Sequence, residues 1–178
     1  MGQEMMSYLQ RLEIMAFFSG YPLVYLITLA FAGKPQTRTV TKKQLVLLLP
    51  FSYALTGVLY LGLQLKNLYP DYSVVHINSE IQNPFLIIWG LLTVLFWIPA
   101  LNKKPVISLL HSLVFFFPLL KDLYIQISSE SADKSVLKND MKVYSDSILL
   151  NISTFVFIII LYFLITHFRK TKKSNHVL

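Results

Sequence analysis

The sequence contains no cysteine among its 178 residues. This absence excludes disulfides, thiolate metal sites, paired-cysteine redox chemistry and a cysteine nucleophile. Acidic residues are also scarce, with 9 Asp and Glu against 16 Lys and Arg. No zinc-protease motif, nucleophile elbow, P-loop or pair of intramembrane aspartates occurs, so proteolysis, hydrolysis and nucleotide-driven pumping lack their minimal residues. These absences favour a protein that is not an enzyme and that uses no metal and no cofactor.

Apolar residues, by contrast, are abundant. Hydrophobic residues make up 54% of the chain and the mean hydropathy is +0.56, well above the values of a soluble domain of this length. The net charge of +7 lies beside the apolar runs, a pattern that orients membrane proteins rather than one that binds nucleic acid. We therefore predict an all-α, polytopic membrane helix bundle, formed as a single domain over residues 1–178, with the lipid bilayer and not nucleic acid as its partner.

Five runs of few or no charges approach the roughly 20 residues that a membrane-spanning helix needs. They predict five transmembrane helices, at Ile14–Ala32, Leu45–Leu65, Pro84–Leu101, Val106–Ile127 and Ile148–Thr166. The fourth run is the shortest in apolar length, because Lys121 and Asp122 interrupt its outer third. It can cross only if these side chains reach toward the headgroups or the bilayer thins.

The basic residues predict the orientation of these helices, since positive side chains in short connections stay in the cytoplasm. With five crossings the three basic clusters, in the first-to-second connection, the third-to-fourth turn and the tail, fall on one side, at Lys34, Arg38, Lys42, Lys43, Lys103, Lys104, Arg169, Lys170, Lys172 and Lys173. The acids fall on the opposite side, at Glu4, Glu13, Asp71, Glu80, Asp122, Glu130, Asp133, Asp140 and Asp146. We therefore predict an outer N-terminus and a basic cytoplasmic tail over residues 167–178, in a plasma membrane or bacterial inner membrane.

A cleaved signal peptide is the alternative for the first run. Ala30-Phe31-Ala32 has the small-x-small form of a cleavage site. Cleavage would export the most basic connection of the chain, which conflicts with the other two basic clusters. The sequence therefore favours an uncleaved first helix.

The segments outside the runs carry weaker signals. Residues 1–13 present an apolar stripe at helical spacing, which predicts a short helix at the outer interface, with a frayed extension of the first span as the alternative. Residues 66–83 contain a turn-forming Tyr-Pro-Asp-Tyr cluster. Residues 128–147 mix serine with charges of both signs, which is typical of a solvated connector. A docking surface for a partner outside the membrane is the functional alternative there.

A weak internal repeat is present at an offset of 55 residues. It aligns Leu65-Lys66-Asn67-Leu68-Tyr69 with Leu120-Lys121-Asp122-Leu123-Tyr124, and Pro50 with Pro105. The second and fourth spans would run in the same direction, so the pattern is consistent with two parallel helical-hairpin repeats followed by one helix. Chance similarity between leucine-rich helices is the alternative.

Polar side chains within the spans form the first candidate site. The second span carries a polar stripe at helical spacing, made by Tyr53, Thr56, Gly57, Tyr60 and Gln64. The fourth span carries His111, the one ionisable side chain deep in a predicted span, with Ser108 and Ser112 near it on the helix surface. These residues either line a polar cavity or make interhelical contacts. We favour contacts, because a proton relay or metal site needs a second ionisable ligand at similar depth.

A second candidate site lies where the second and fourth spans end. Lys66, Lys121 and Asp122 could line an outer mouth. Snorkelling of these side chains toward the headgroups explains them without a function.

Two functions fit these patterns best, and a third hypothesis, an intramembrane enzyme of unrecognised type, is disfavoured by the missing acid–base pair. The first is a non-catalytic integral membrane subunit that acts as a scaffold or regulator of a membrane complex. The second is a small-solute or ion carrier or channel, lined by the stripe of span two and His111. Both predict a homo-oligomer or a partner that is a membrane or extracytoplasmic protein.

Overall fold

The computed structural model describes residues 2–33, 39–70, 72–73, 81, 83–128 and 134–174. Within these ranges the chain forms helices and turns and no strand. The helices are α1 (Gly2–Phe18), α2 (Tyr21–Ala32), α3 (Val40–Asn67), α4 (Pro84–Leu91), a 3₁₀ segment (Leu92–Trp97), α5 (Pro99–Asn102), α6 (Pro105–Ser128) and α7 (Lys134–Ser174). The predicted all-α class is confirmed.

Among the described residues, four helical stretches are long and apolar enough to cross a membrane. They are Met6–Ala32, Val40–Asn67, Pro105–Ile125 and Met141–Arg169, whereas Pro84–Trp97 is a shorter apolar helix. The molecule is thus compatible with a multi-pass membrane protein. Its third predicted span forms α4, the 3₁₀ segment and α5, with a bend at Ile98.

The first stretch is interrupted at Ser19 and Gly20, between α1 and α2. Pro22 lies in the first turn of α2, where the absent N–H of proline costs no helical hydrogen bond. The predicted interfacial helix over residues 1–13 is the beginning of α1, which continues to Phe18. The first span predicted from Ile14 therefore contains a break that the run of apolar residues did not indicate.

The connector predicted over residues 128–147 is helical in its second half. α6 ends at Ser128 and α7 begins at Lys134, so residues 129–133 lie outside the described part. Helix formation is cooperative, and the long apolar run after Asp146 extends its helix back through the polar residues before it. The prediction from composition was wrong here, because charged and polar residues are tolerated in an exposed helical turn. Only Gly and Pro strongly disfavour a helix.

Aromatic rings fill the centre of the bundle. Phe18 is fully buried and its ring lies 4.9 Å from that of Phe115, 5.3 Å from that of Tyr60 and 5.8 Å from that of Tyr53. Tyr21 stacks on Tyr53 at 4.2 Å. These contacts join α1, α2, α3 and α6 through one cluster of rings.

Side-chain contacts also define the two ends of the bundle. Arg11 of α1 forms an ion pair with Asp122 near the end of α6, at 2.8 Å. Glu13 accepts hydrogen bonds from Gln64 and Asn67 at the end of α3. We call this the Glu13 end. The beginnings of α3 and α6 and the last turns of α7 lie at the opposite end, which we call the Lys43 end.

Candidate functional site

His111 lies in a box of aromatic rings between α3, α4, the 3₁₀ segment and α6. Its imidazole stacks on Trp89 with ring centroids 4.7 Å apart and planes only 6° from parallel. The edges of Tyr53 and Phe96 meet it at 5.7 and 5.6 Å, and Phe115 lies at 6.1 Å. These four rings contact the imidazole and restrict its rotation.

The two ring nitrogens of His111 have different surroundings. Nδ1 lies 2.9 Å from the hydroxyl of Tyr53, in a hydrogen bond whose direction depends on the tautomer. Nε2 is buried and has no hydrogen-bond partner in the described part of the chain. The indole of Trp89 donates to the backbone carbonyl of His111 at 3.2 Å. His111 is therefore held by one hydrogen bond at its ring nitrogen Nδ1 and by another at its backbone carbonyl.

The two serines near His111 are both buried. The hydroxyl of Ser108 lies 2.7 Å from that of Tyr21 on α2 and 2.7 Å from the carbonyl of Pro105. Ser112 donates to the carbonyl of Leu109 within its own helix at 2.7 Å. Ser108 thus joins α6 to α2, whereas Ser112 satisfies itself locally.

The polar stripe of α3 faces other helices along its length. Tyr53 is directed at His111, and the hydroxyl of Thr56 lies 3.3 Å from that of Thr154 and 3.5 Å from Oδ1 of Asn151. Gln64 donates to Glu13 at 3.2 Å. Tyr60 is buried, and its ring packs on those of Phe17 and Phe18. The stripe therefore contacts α1, α6 and α7.

A polar knot joins the break between α1 and α2 to α7. The backbone N–H of Gly20 donates to the hydroxyl of Ser147 at 2.8 Å. Nδ2 of Asn151 donates to the carbonyl of Phe17 at 2.7 Å and to that of Ser147 at 2.8 Å. Groups that a helix break would leave without partners in an apolar medium are thus bound by side chains of the last helix.

Two glycines lie in close contact with neighbouring helices. A Cβ added at Gly20 would lie 2.5 Å from the backbone nitrogen of Ile148, so α7 packs directly against this residue. A Cβ added at Gly57 would overlap the hydroxyl of Thr93 in the 3₁₀ segment. Small residues at helix contacts allow the backbones to approach and their polar groups to meet.

The predicted outer-mouth residues lie at the Glu13 end. Asp122 is paired with Arg11, while Lys66 and Lys121 are exposed. A cavity of about 300 Å³ opens nearby, and it is lined by Met6, Leu9, Gln10, Glu13, Gln64, Asn67, Leu68 and Ile81. The structure therefore places Gln64, but none of the three mouth residues, in the wall of this cavity.

In the described part of the chain, no three His, Asp or Glu side chains are grouped so that they could hold a metal ion. The carboxylates of Glu13 and Asp122 point to different helices, and His111 is enclosed by rings.

Sequence reasoning missed Ser147, Asn151 and Thr154, all of which are buried. Their spacing offers a signal, because positions i, i+4 and i+7 fall on one face of an otherwise apolar helix. The partner on α1 is the backbone carbonyl of Phe17. Every residue type carries such a carbonyl, so the sequence gives no signal for it.

Comparisons with known proteins give this chain no relatives. No protein family, curated protein or solved structure matches it.

Proposed function

We propose that this protein is a non-catalytic integral membrane subunit that acts as a scaffold or regulator of a membrane complex. The observation that carries the proposal is that polar side chains within the proposed spans form hydrogen bonds with other helices. Tyr53, Thr56 and Ser108 each direct a hydroxyl at another helix, and aromatic rings fill the space between them. Such an interior supports a rigid bundle more readily than a hydrated path.

Five crossings are part of this proposal. Asn83 donates to Ser7 at the Glu13 end, Thr93 packs on Gly57 midway along α3, and Trp97 lines the same groove as Leu47 near the Lys43 end. At rises of 1.5 Å per α-helical and 2.0 Å per 3₁₀ residue, Pro84–Trp97 extends about 24 Å. This length approaches the hydrocarbon thickness, which supports a crossing by a short helix.

An outer N-terminus and a cytoplasmic C-terminus complete the proposed topology. Lys42 and Lys43 lie in the first turn of α3, the Lys103-Lys104 turn precedes α6, and Arg169 ends the apolar part of α7. All lie toward the Lys43 end, where the positive-inside rule places the cytoplasm. α3 and α6 run in the same direction, as two parallel hairpin repeats would require.

The absence of native cysteine makes the topology directly testable. We expect an impermeant thiol reagent applied from outside to label Ser131→Cys and to leave Ser174→Cys unlabelled until the membrane is permeabilised. Outside labelling of both would disprove the five-crossing topology. The unsubstituted chain is the matched blank, because it contains no thiol.

The scaffold role is tested by affinity purification in mild detergent. We expect a membrane or extracytoplasmic protein, or further copies of this chain, to co-purify in fixed stoichiometry. Deletion of residues 128–142 should abolish the association, whereas His111→Leu should preserve it. Association that survives the deletion but fails in His111→Leu would contradict the proposal.

The second candidate function is a small-solute or ion carrier or channel. The observation that favours it is the buried Nε2 of His111, which has no partner among the described residues. Flux into liposomes containing the purified protein should then fall in His111→Ala and in Tyr60→Phe. Flux that is unaffected by both changes argues against this function.

A further inference from the structure

An apolar groove runs between α3 and α7 toward the Lys43 end. Its volume is about 650 Å³, within the usual range of about 300–1,000 Å³ for small-molecule sites. It is lined by Gln44, Leu47, Leu48, Phe51, Trp97, Ile158, Leu161, Tyr162 and Ile165. Apart from Gln44 and the hydroxyl and indole groups of the two aromatic side chains, the lining is hydrocarbon.

The groove does not end in apolar surface. A second cavity of about 420 Å³ adjoins it and shares Gln44 and Tyr162 with it. Thr166 and His167 lie in this second cavity. The pair of cavities is thus apolar over most of its length and polar at the Lys43 end.

A cation stands beyond the groove on each of its two walls. On α7, Arg169 follows Ile165 by four residues, and on α3, Lys43 precedes Leu47 by four residues. Residues four apart on a helix lie on the same face, one above the other. Both cations are exposed, and neither forms an ion pair with a residue that the structure describes.

The side chain of Lys42, the residue before Lys43, is directed at α2 instead of the groove. Nζ of Lys42 lies 5.8 Å from the centre of the Phe31 ring, on α2. Among the basic side chains that the structure describes on α3 and α7, Lys43 and Arg169 are thus the ones that lie one helical turn beyond the groove.

We propose that this groove is a binding site for one anionic phospholipid, with an acyl chain against Leu47, Trp97 and Leu161 and the phosphate between Lys43 and Arg169. The apolar length matches a hydrocarbon chain and the two cations match a phosphate. A helix from another copy would fill the apolar part but would bring no anion to the mouth. The site is independent of which protein the proposed scaffold binds.

Trp97 makes the site observable, because it lies in the groove wall and brominated acyl chains quench tryptophan fluorescence on contact. The protein would be placed in nanodiscs of phosphatidylcholine that contain increasing fractions of brominated phosphatidylglycerol or of brominated phosphatidylcholine. Trp89→Phe leaves Trp97 as the sole tryptophan. If this variant does not fold, the difference between the unsubstituted protein and Trp97→Phe isolates the same signal.

Each basic side chain near a membrane surface gives about a five-fold preference for an anionic lipid, so two give about thirty-fold. We expect the association constant from the quenching curves to favour phosphatidylglycerol by about this factor in low salt. The preference should fall as the ionic strength rises, since exposed charges are screened.

The double variant Lys43→Gln, Arg169→Gln should lose the preference, so that both brominated lipids quench Trp97 equally. The matched control is the double variant Lys103→Gln, Lys104→Gln, which removes the same charge at the same end of the bundle from residues that lie on neither wall helix of the groove, α3 or α7. This control should keep the preference.

Three results would overturn the proposal. Equal quenching by both lipids in the unsubstituted protein would mean that any acyl chain fills the groove. Absence of quenching by either would mean that protein covers it. Loss of the preference in the Lys103 and Lys104 variant would mean that the attraction is diffuse. If either charge variant fails to fold, a preference that does not change with salt overturns the proposal equally.

Discussion

The contact between Gly20 and α7 allows a stability prediction to be worked from distances. In Gly20→Ala the new methyl group would lie 2.5 Å from the nitrogen and 2.7 Å from the Cα of Ile148, and 2.6 Å from the carbonyl carbon of Ser147. All three are backbone atoms, so no side-chain rotation relieves the overlap. The bend between α1 and α2 must therefore move away from α7 by about 1 Å to reach ordinary contact distances.

That displacement has two costs. Overpacking costs about 1–3 kcal/mol. The hydrogen bond from Gly20 to Ser147, now 2.8 Å, would be stretched beyond its limit, and interhelical hydrogen bonds in membranes average about 0.6 kcal/mol. We expect Gly20→Ala to lower the free energy of unfolding by about 2–4 kcal/mol.

The assay is unfolding in mixed micelles titrated with SDS and followed by tryptophan fluorescence. Gly62→Ala is the matched control, because a Cβ at Gly62 has nothing within 4 Å, and its unfolding free energy should be unchanged or raised by up to about 1 kcal/mol. A Gly20→Ala protein within about 0.5 kcal/mol of the unsubstituted chain would refute the reasoning. The Ser147→Ala change should also cost less in the Gly20→Ala background than alone, because its bond is already lost there.

Three further outcomes follow from the contacts. Gly57→Ala should cost about 1–3 kcal/mol, and adding Thr93→Ala should recover part of it by removing the hydroxyl that the methyl group meets; purely additive free energies in the SDS titration would contradict this. Asn151→Ala should cost about 1–2 kcal/mol, because it removes the side-chain donor to the Phe17 carbonyl at the helix break, while Ser153→Ala, on the same helix but exposed, should be neutral in that titration. His111→Phe should change the unfolding free energy by less than about 1 kcal/mol, since removal of a buried unpaired nitrogen offsets the lost bond to the buried Tyr53 hydroxyl and the ring stack is kept; a loss above about 3 kcal/mol, more than an unpaired Tyr53 hydroxyl costs, would show that Nε2 has a partner.

Length and hydropathy were sufficient to predict the helices that depend on local sequence. α3 and the apolar part of α7 lie where uncharged runs of spanning length predict them, because helical hydrogen bonds and burial in lipid both act within one segment. The break at Gly20 was not predictable in this way. Glycine is frequent in membrane helices, and only the approach of Ile148, distant in sequence, makes this glycine a junction.

In the candidate site, likewise, the sequence predicted which residues face inward but not which residues they contact. The polar spacing on α3 identified Tyr53 and Thr56 as facing inward, and the structure directs both at other helices. The partner of each lies far along the chain, and a single sequence gives no pairing between distant positions. Asp122 illustrates this, because its ion pair with Arg11 joins residues 111 positions apart.

The knot between α7 and the first helix break has a consequence for the order of assembly during synthesis. The Gly20 amide and the Phe17 carbonyl find their partners 127 and 134 residues later. Until the last helix enters the membrane, these two groups depend on water or lipid headgroups, and backbone groups without partners are costly in hydrocarbon. A chain that stops before Ser147 therefore lacks both bonds, and the bend between α1 and α2 has its full set of partners only when the last helix is present.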